Sequence, residues 1–288
     1  MKSICQFFDR LRPVDRVLWR GFAPIAVSLA TFMSVALCFC NLSTVMAKVV
    51  GASVVLILFA GAFVYFWVRV SLRKELELKI GGIDARVKEG DIWKSPNFKV
   101  LAWNECFDTI VDNKIVAEKS LHGQYLLEHK SEISSIDAEI TSDPVLKTRI
   151  RKQNVRRLSG GKSVSYKLGS IFVRGDFAMV AFSRFDKFDR ANLKTEEYVE
   201  CLLSFWKELD RVYAGRDVDV PLMGAGITRF VDSEGESLSE QALLTLLLWT
   251  LKMSRCGIKT KINILLTAET MAKVDLLLLK EAVSLWSK

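Results

Sequence analysis

Two stretches without a single charged side chain, Gly21 to Cys40 and Val49 to Val68, constrain this chain more than any other feature. Each runs about 20 residues, the length an α-helix needs to cross roughly 30 Å of hydrocarbon. With no water inside a bilayer, a helix satisfies its backbone internally, so both runs predict membrane helices. The loop between them is short and polar (Asn41, Ser43, Thr44, Lys48), which makes the pair a hairpin. Lys2, Arg10, Arg12, Arg16 and Arg20 precede the first run, and Arg69, Arg73, Lys74 and Lys79 follow the second, whereas the loop offers only Lys48. Positive residues stay inside, so both ends are expected in the cytoplasm and the loop outside. The competing reading is a cleaved signal peptide, and Val45-Met46-Ala47 loosely fits a cleavage site, but the apolar stretch is long for one. Neither run carries an ionisable side chain of the kind that marks an ion or proton path.

The net charge of +8 is compatible with nucleic acid, a membrane surface or a phosphorylated ligand. No zinc-finger spacing or aromatic RNA-binding pattern accompanies it, so no nucleic-acid partner is expected. The six cysteines are scattered and fit free thiols in a reducing compartment. With only His122 and His129, no multi-histidine metal site is expected.

Residues 1–72 read as the N-terminal segment with the two spans, residues 73–97 as a charged linker, and residues 98–288 as one soluble domain. Val100 to Trp103 suits a buried strand. Ser120 suits an N-cap for the helix that follows. Tyr166 to Val173 and Phe177 to Phe182 flank Arg174-Gly175-Asp176 as a hairpin. Thr195 is expected to cap a helix with Leu202, Trp206 and Leu209 on one face, and Val218 to Leu222 is the next strand. Ser237 with Glu240 fits a capping box for a helix that runs to Arg255, with Gly257 as its C-terminal cap. Lys261 to Leu266 is a further strand, and Thr267 caps a final helix through Val283. Alternating strands and helices imply an α/β fold with a largely parallel sheet, whose ligands bind beyond the carboxyl ends of the strands. Residues 147–162 are basic and end in Gly160-Gly161, and read as a solvated, mobile loop in preference to a phosphate clamp.

Two segments leave strands at that ligand-binding edge. Gly224-Ala225-Gly226 lets the backbone turn sharply and lets amides approach an anion, with Arg229 available for charge; a purely structural turn explains the same residues. It is neither a dinucleotide fingerprint nor a P-loop. Asn104 and Asp108 either hydrogen-bond a ribose or base, or simply cap a turn. Ser120-Leu121-His122-Gly123 suggests close approach of a ligand, although His122 alone reads as a partly exposed surface residue. No Ser-His-Asp set is present.

Taken together, Asn104-Glu105-x-Phe107-Asp108-Thr109-Ile110-Val111-Asp112, Ser120-Leu121-His122-Gly123 and Gly226-Ile227-Thr228-Arg229 resemble the macro-type effectors of type II Thoeris antiphage defence, which also carry two N-terminal spans. Pro221-Leu222-Met223-Gly224-Ala225-Gly226-Ile227 resembles the second phosphate loop of macro domains. The resemblance covers about the whole chain. It implies a transmembrane hairpin followed by a macro-like three-layer α/β/α domain with a mixed sheet, in a multi-pass protein of the bacterial inner membrane. It implies a ligand of the ADP-ribose type, histidine-ADP-ribose or imidazole adenine dinucleotide, made by a TIR-domain partner. Binding would drive homo-oligomerisation, membrane disruption and abortive infection, with no catalytic residue and no metal. By residue match, Gly224, Ala225, Gly226, Ile227 and Thr228 would hold the pyrophosphate, Asn104 and Asp108 a ribose or base, and Ser120, Leu121, His122 and Gly123 the distal group, with Arg229 supplying charge. The glycine-rich first loop of macro hydrolases is replaced here by Asp112 to Ser120, which favours sensing over the alternative of a membrane-tethered ADP-ribosyl hydrolase or ADP-ribose reader.

Overall fold

The chain leaves its membrane-like segment at Lys74 and at once begins to alternate: Leu76, Leu78 and Ile80, then Ile83, Ala85 and Val87, on either side of Gly81-Gly82. A period of two with a two-glycine break is a hairpin signal. In a computed structural model, which describes residue 14 and residues 16–38, 44–155, 157, 160–185, 191–226, 229–230 and 238–286, this stretch forms strands β1 (Glu75–Ile80) and β2 (Ile83–Glu89). Ile80 faces Ile83 across the turn, and both glycines have positive φ, +59° and +92°, as a tight type I′ turn requires. The expected linker over 73–97 is therefore overturned: its apolar alternation buys burial in the main sheet, and Leu76, Ile80 and Val87 are buried.

The chain divides into two units. One contains helices α1 (Arg16–Cys38) and α2 (Val45–Ser71) together with the C-terminal helix. By length and composition both could cross a membrane. Their ends pack by aromatic contact, with Trp19 stacked on Phe63 at 4.6 Å and Phe22 edge-on to the same ring at 5.3 Å. No residue of α2 is buried.

The second unit, Glu75–Val274, is built on a mixed sheet. Its further elements are β3 (Phe98–Asn104), α3 (Leu121–Glu128), α4 (Ile133–Ser142), α5 (Pro144–Thr148), β4 (Ile150–Lys152), β5 (Ser165–Tyr166), β6 (Ile171–Arg174), β7 (Phe177–Phe185), β8 (Ala191–Leu193), α6 (Thr195–Val212), β9 (Val218–Pro221), β10 (Arg229–Phe230), α7 (Glu240–Ser254), β11 (Ile262–Leu266) and α8 (Ala268–Ala272). The strand order is β1-β2-β11-β9-β3-β7-β8-β10, with β6 also on β7. The run β2-β11-β9-β3-β7 is parallel, while β1, β6 and the β7–β8 pair are antiparallel. One face packs Leu101, Trp103, Met179 and Ala181 against Tyr125, Leu126, Ile136, Ile140 and Leu146 of α3–α5. On the other face Phe182 meets Tyr198 of α6 edge-on at 5.8 Å, and Trp206 of α6 donates to Thr250 of α7 at 3.1 Å. This is a three-layer α/β/α arrangement with a mixed sheet.

Local boundaries differ from expectation at several caps. Lys194, not Thr195, is the N-cap of α6, and its backbone amide is held by Glu197. Ser239 caps α7 by accepting from Ala242, whereas Ser237 lies outside the described residues. Arg255, left-handed at φ +50°, closes α7 two residues before Gly257. The expected final helix is two: Thr267 caps α8, and a separate α9 (Leu276–Trp286) starts where Asp275 accepts from the amides of Leu277 and Leu278. Helix α9 belongs to the first unit, where Glu281 pairs with Arg20 at 2.6 Å.

The basic segment is fastened to the domain by several of its charges, although residues 151–154 are exposed. Arg149 reaches Ser170 and Ser204, Arg151 pairs with Glu105 at 3.0 Å, Arg157 pairs with Asp108, and Lys162 pairs with Asp137 at 2.6 Å. Side chains that bind buried carboxylates order the segment that carries them.

Candidate functional site

The parallel strands β2, β11, β9 and β3 all end on one edge, and a cleft of about 1060 Å³ lies along it. Its floor is the turn after β9. Pro221 ends the strand, the Ala225 amide donates to the Leu222 carbonyl at 3.3 Å, and Gly224 adopts φ +94°. A type II turn needs positive φ at its third residue, which glycine supplies without steric cost. The turn is braced from behind, where the buried Tyr198 hydroxyl lies within hydrogen-bond reach of the Met223 and Leu243 carbonyls. The amides of Gly224 and Gly226 find no acceptor among the described residues, and a Cβ on Gly226 would meet nothing within 4 Å.

The wall beyond β3 is made by Trp103, Asn104 and the start of α3. Asn104 is buried and spends its Oδ1 on the amides of Cys106 and Asp108, at 3.1 and 3.2 Å, while its Nδ2 has no partner among the described residues. His122 stacks on Trp103 with centroids 3.9 Å apart, and its Nε2 lies 2.7 Å from the Asp108 carbonyl. A carbonyl accepts, so Nε2 carries the proton and Nδ1 is left as an acceptor. Burial pushes the imidazole down to about 3, against the pull of that hydrogen bond, so His122 is neutral near pH 7. His122 is thus not the partly exposed surface residue expected of it alone but a buried residue of the cleft wall.

Of the expected site residues, Asn104, Ser120, Leu121, His122, Gly224, Ala225 and Gly226 line this one cleft. Two others do not. Asp108 is fully buried behind the wall, where it accepts from the Lys162 amide at 2.7 Å and pairs with Arg157. It anchors the basic segment, and both oxygens are engaged there, so the structure corrects its assignment to a ribose or base. Gly123 is a packing glycine: a Cβ there would sit 2.2 Å from the Ala117 carbonyl oxygen. Ile227 and Thr228 lie outside the described residues, as does the side chain of Arg229, whose backbone pairs in β10 with Asn192.

Several lining residues escaped the sequence reading. Gly90, Asp91 and Ile92 close the β2 end of the cleft, with the Gly90 amide on the Leu266 carbonyl at 2.9 Å. The β1–β2 alternation was the signal that would have placed them at a strand end. Thr267, Glu269 and Lys273 follow β11, with Lys273 bridging Glu240 and Glu269 at 2.8 and 3.1 Å. Cys106, by contrast, is buried behind the wall with its thiol pushed up to about 12 by burial, so it offers no thiolate nucleophile near neutral pH.

A cleft at the carboxyl edge of a mixed α/β/α sheet, floored by a glycine turn, is where domains of this α/β class hold their ligands. A family model for the macro domain of Thoeris protein ThsA matches residues 85–267. The Thoeris protein ThsA of Bacillus amyloliquefaciens (strain Y2) is 36% identical over 278 residues, covering 93% of this chain and 90% of that protein. The chain belongs to the Thoeris ThsA macro-domain family. Among solved structures, a variant of the Oceanobacillus iheyensis macrodomain is similar at 10% identity and TM-score 0.46, covering 75% of this chain and 98% of that one. A second variant, solved with ADPR, is similar at 11% identity and TM-score 0.42, covering 74% and 100%.

Proposed function

We propose that this protein is a membrane-bound effector of antiphage immunity. Its macro-like unit binds an ADP-ribose-type signal nucleotide, histidine- or imidazole-linked, made by a TIR-domain protein. Binding drives homo-oligomerisation, disruption of the inner membrane by the hairpin, and abortive infection. The observation that carries the reading is the cleft itself, with the amides of Gly224 and Gly226 on its floor finding no acceptor among the described residues and the start of α3 at its wall. Phosphate oxygens are the acceptors such an array lacks. The membrane part rests on α2, an apolar run of which no residue is buried even though Phe63 packs on α1, so that lipid would supply the missing burial. We place residues 1–72 at the membrane and the macro-like unit and N-terminus in the cytoplasm.

The reading is of a sensor and not an enzyme. Asn104 Oδ1 and both Asp108 oxygens are spent on the protein, so neither residue offers a free acceptor to take a proton from a water, and Asn104 keeps only its Nδ2 donor. A ligand shifts the monomer–oligomer equilibrium only through its preference for one state, so assembly must be tested with the ligand present.

Titration calorimetry of the detergent-solubilised full chain tests this with ADP-ribose and its imidazole and histidine conjugates. One conjugate should bind without turnover. Gly226→Trp should abolish binding while leaving the melting temperature unchanged, because position 226 opens onto empty space. Turnover of the bound conjugate would replace the sensor by a hydrolase, and no binding at all would end the nucleotide reading.

A further inference from the structure

By the resemblance to macro domains, the segment Asp112 to Ser120 takes the place of a glycine-rich loop, and it is built as a hydrogen-bonded shelf. Asp112 Oδ1 accepts from the amides of Lys114 and Ile115 at 2.8 and 2.7 Å. Asn113, left-handed at φ +61°, accepts from the Glu118 amide at 3.0 Å, and its own amide donates to the Val116 carbonyl. Ser120 Oγ donates to the Ala117 carbonyl at 2.6 Å, and Gln124 holds the Lys119 carbonyl at 2.9 Å. Gly123 lets Ala117 press against the start of α3.

The shelf sets Lys114 and Lys119, both exposed, among the residues that line the cleft. Neither ammonium is in a salt bridge with a described carboxylate, and Asp112 beside Lys114 has its Oδ1 committed to the shelf's own amides. Next to them are the amides of Leu121 and His122, which open α3 and donate to no described acceptor. Behind this wall, covered from solvent, Trp103 Nε1 and Asn104 Nδ2 have no partner among the described residues. The far end of the cleft, at β2 and β11, is lined instead by Asp91, Glu240 and Glu269 around Lys273. The cleft is therefore polarised along the sheet edge, cationic beyond β3 and acidic beyond β11.

We infer that Lys114 and Lys119 form, with the start of α3, an oxyanion subsite that replaces the missing glycine loop by side-chain charge and fixes the direction in which the nucleotide lies. The inference rests on the nucleotide reading above. The oxyanion is either the pyrophosphate or a carboxylate on the distal group; both present the same acceptors to the same donors.

The test is calorimetry of the full chain in detergent at two salt concentrations, with ADP-ribose, its uncharged imidazole conjugate and its carboxylate-bearing histidine conjugate. The Lys114→Gln/Lys119→Gln double variant should bind at least tenfold more weakly, with a shallower salt dependence, and Lys114→Arg/Lys119→Arg should restore most of the affinity. An equal loss for all three probes identifies the pyrophosphate as the anion held; a loss confined to the histidine conjugate identifies the distal carboxylate. If the wild type binds but the glutamine variant keeps both its Kd and its salt slope, the subsite is overturned while the nucleotide reading stands. If the wild type binds none of the three, both fall.

Discussion

His122 illustrates how one residue's chemistry is set by its neighbours. The Trp103 face covers the ring, and the Asp108 carbonyl takes the Nε2 proton. An unfolded histidine titrates near 6.5, and the folded one only near 3. Between those values the unfolded chain binds the proton and the folded chain does not, so acid favours unfolding. The stabilisation is complete above about pH 6.5 and is lost as pH falls through about 3, an effect on the order of 5 kcal/mol. Denaturant unfolding of the detergent-solubilised protein from pH 7.5 to 4 should therefore show a steeper loss for wild type than for His122→Gln. Parallel curves would mean that His122 is protonated or exposed. Nothing in the sequence around His122 announces this burial. The wall exists because Gly123 has no Cβ to keep Ala117 away and because Trp103, one residue before the end of β3, lies beneath the ring.

At the scale of elements, the basic segment is a strap, fastened at Asp108. The side chain of Arg157 is 4% exposed against a fully buried carboxylate, and Gly161, at φ +93°, fits where a Cβ would sit 2.7 Å from Asp108 Oδ1. Removing one partner of a buried pair costs about 3–5 kcal/mol, because the other charge stays behind. Asp108→Ala should destabilise by that amount and should speed tryptic cleavage within residues 149–162, both measurable on the solubilised chain. An unchanged cleavage rate would show that the strap is held elsewhere. The sequence gives the charges and glycines of this strap, but charge runs are usually solvated. Only the fold brings Glu105, Asp108 and Asp137 beneath them. The β1–β2 hairpin is the opposite case: its alternation and its Gly-Gly turn were legible, and the charged residues on its outward face hid them.

For the whole molecule, the decisive prediction is sidedness. With both ends of the hairpin basic, the macro-like unit should be digested by protease in inside-out membrane vesicles and protected in intact spheroplasts. Digestion in spheroplasts would reverse the orientation and place the cleft away from any cytoplasmic nucleotide. The Arg20–Glu281 pair ties α9 to α1 within the first unit, but it is solvent-exposed and contributes ~0–1 kcal/mol.

The sequence by itself determined the elements whose signals are local: two uncharged runs long enough to span, the strands β3, β9 and β11, the capped starts of α3 and α8, and the glycine turn after β9. Period, capping and backbone freedom act over a few residues, and they can be read there. Tertiary structure decided which of those residues face one another. It drew Asp108 out of the cleft and into the strap, turned a linker into two strands, and set Lys114 and Lys119 on the rim. These outcomes depend on burial and on pairings between segments far apart in the chain, whose free energy no local pattern contains.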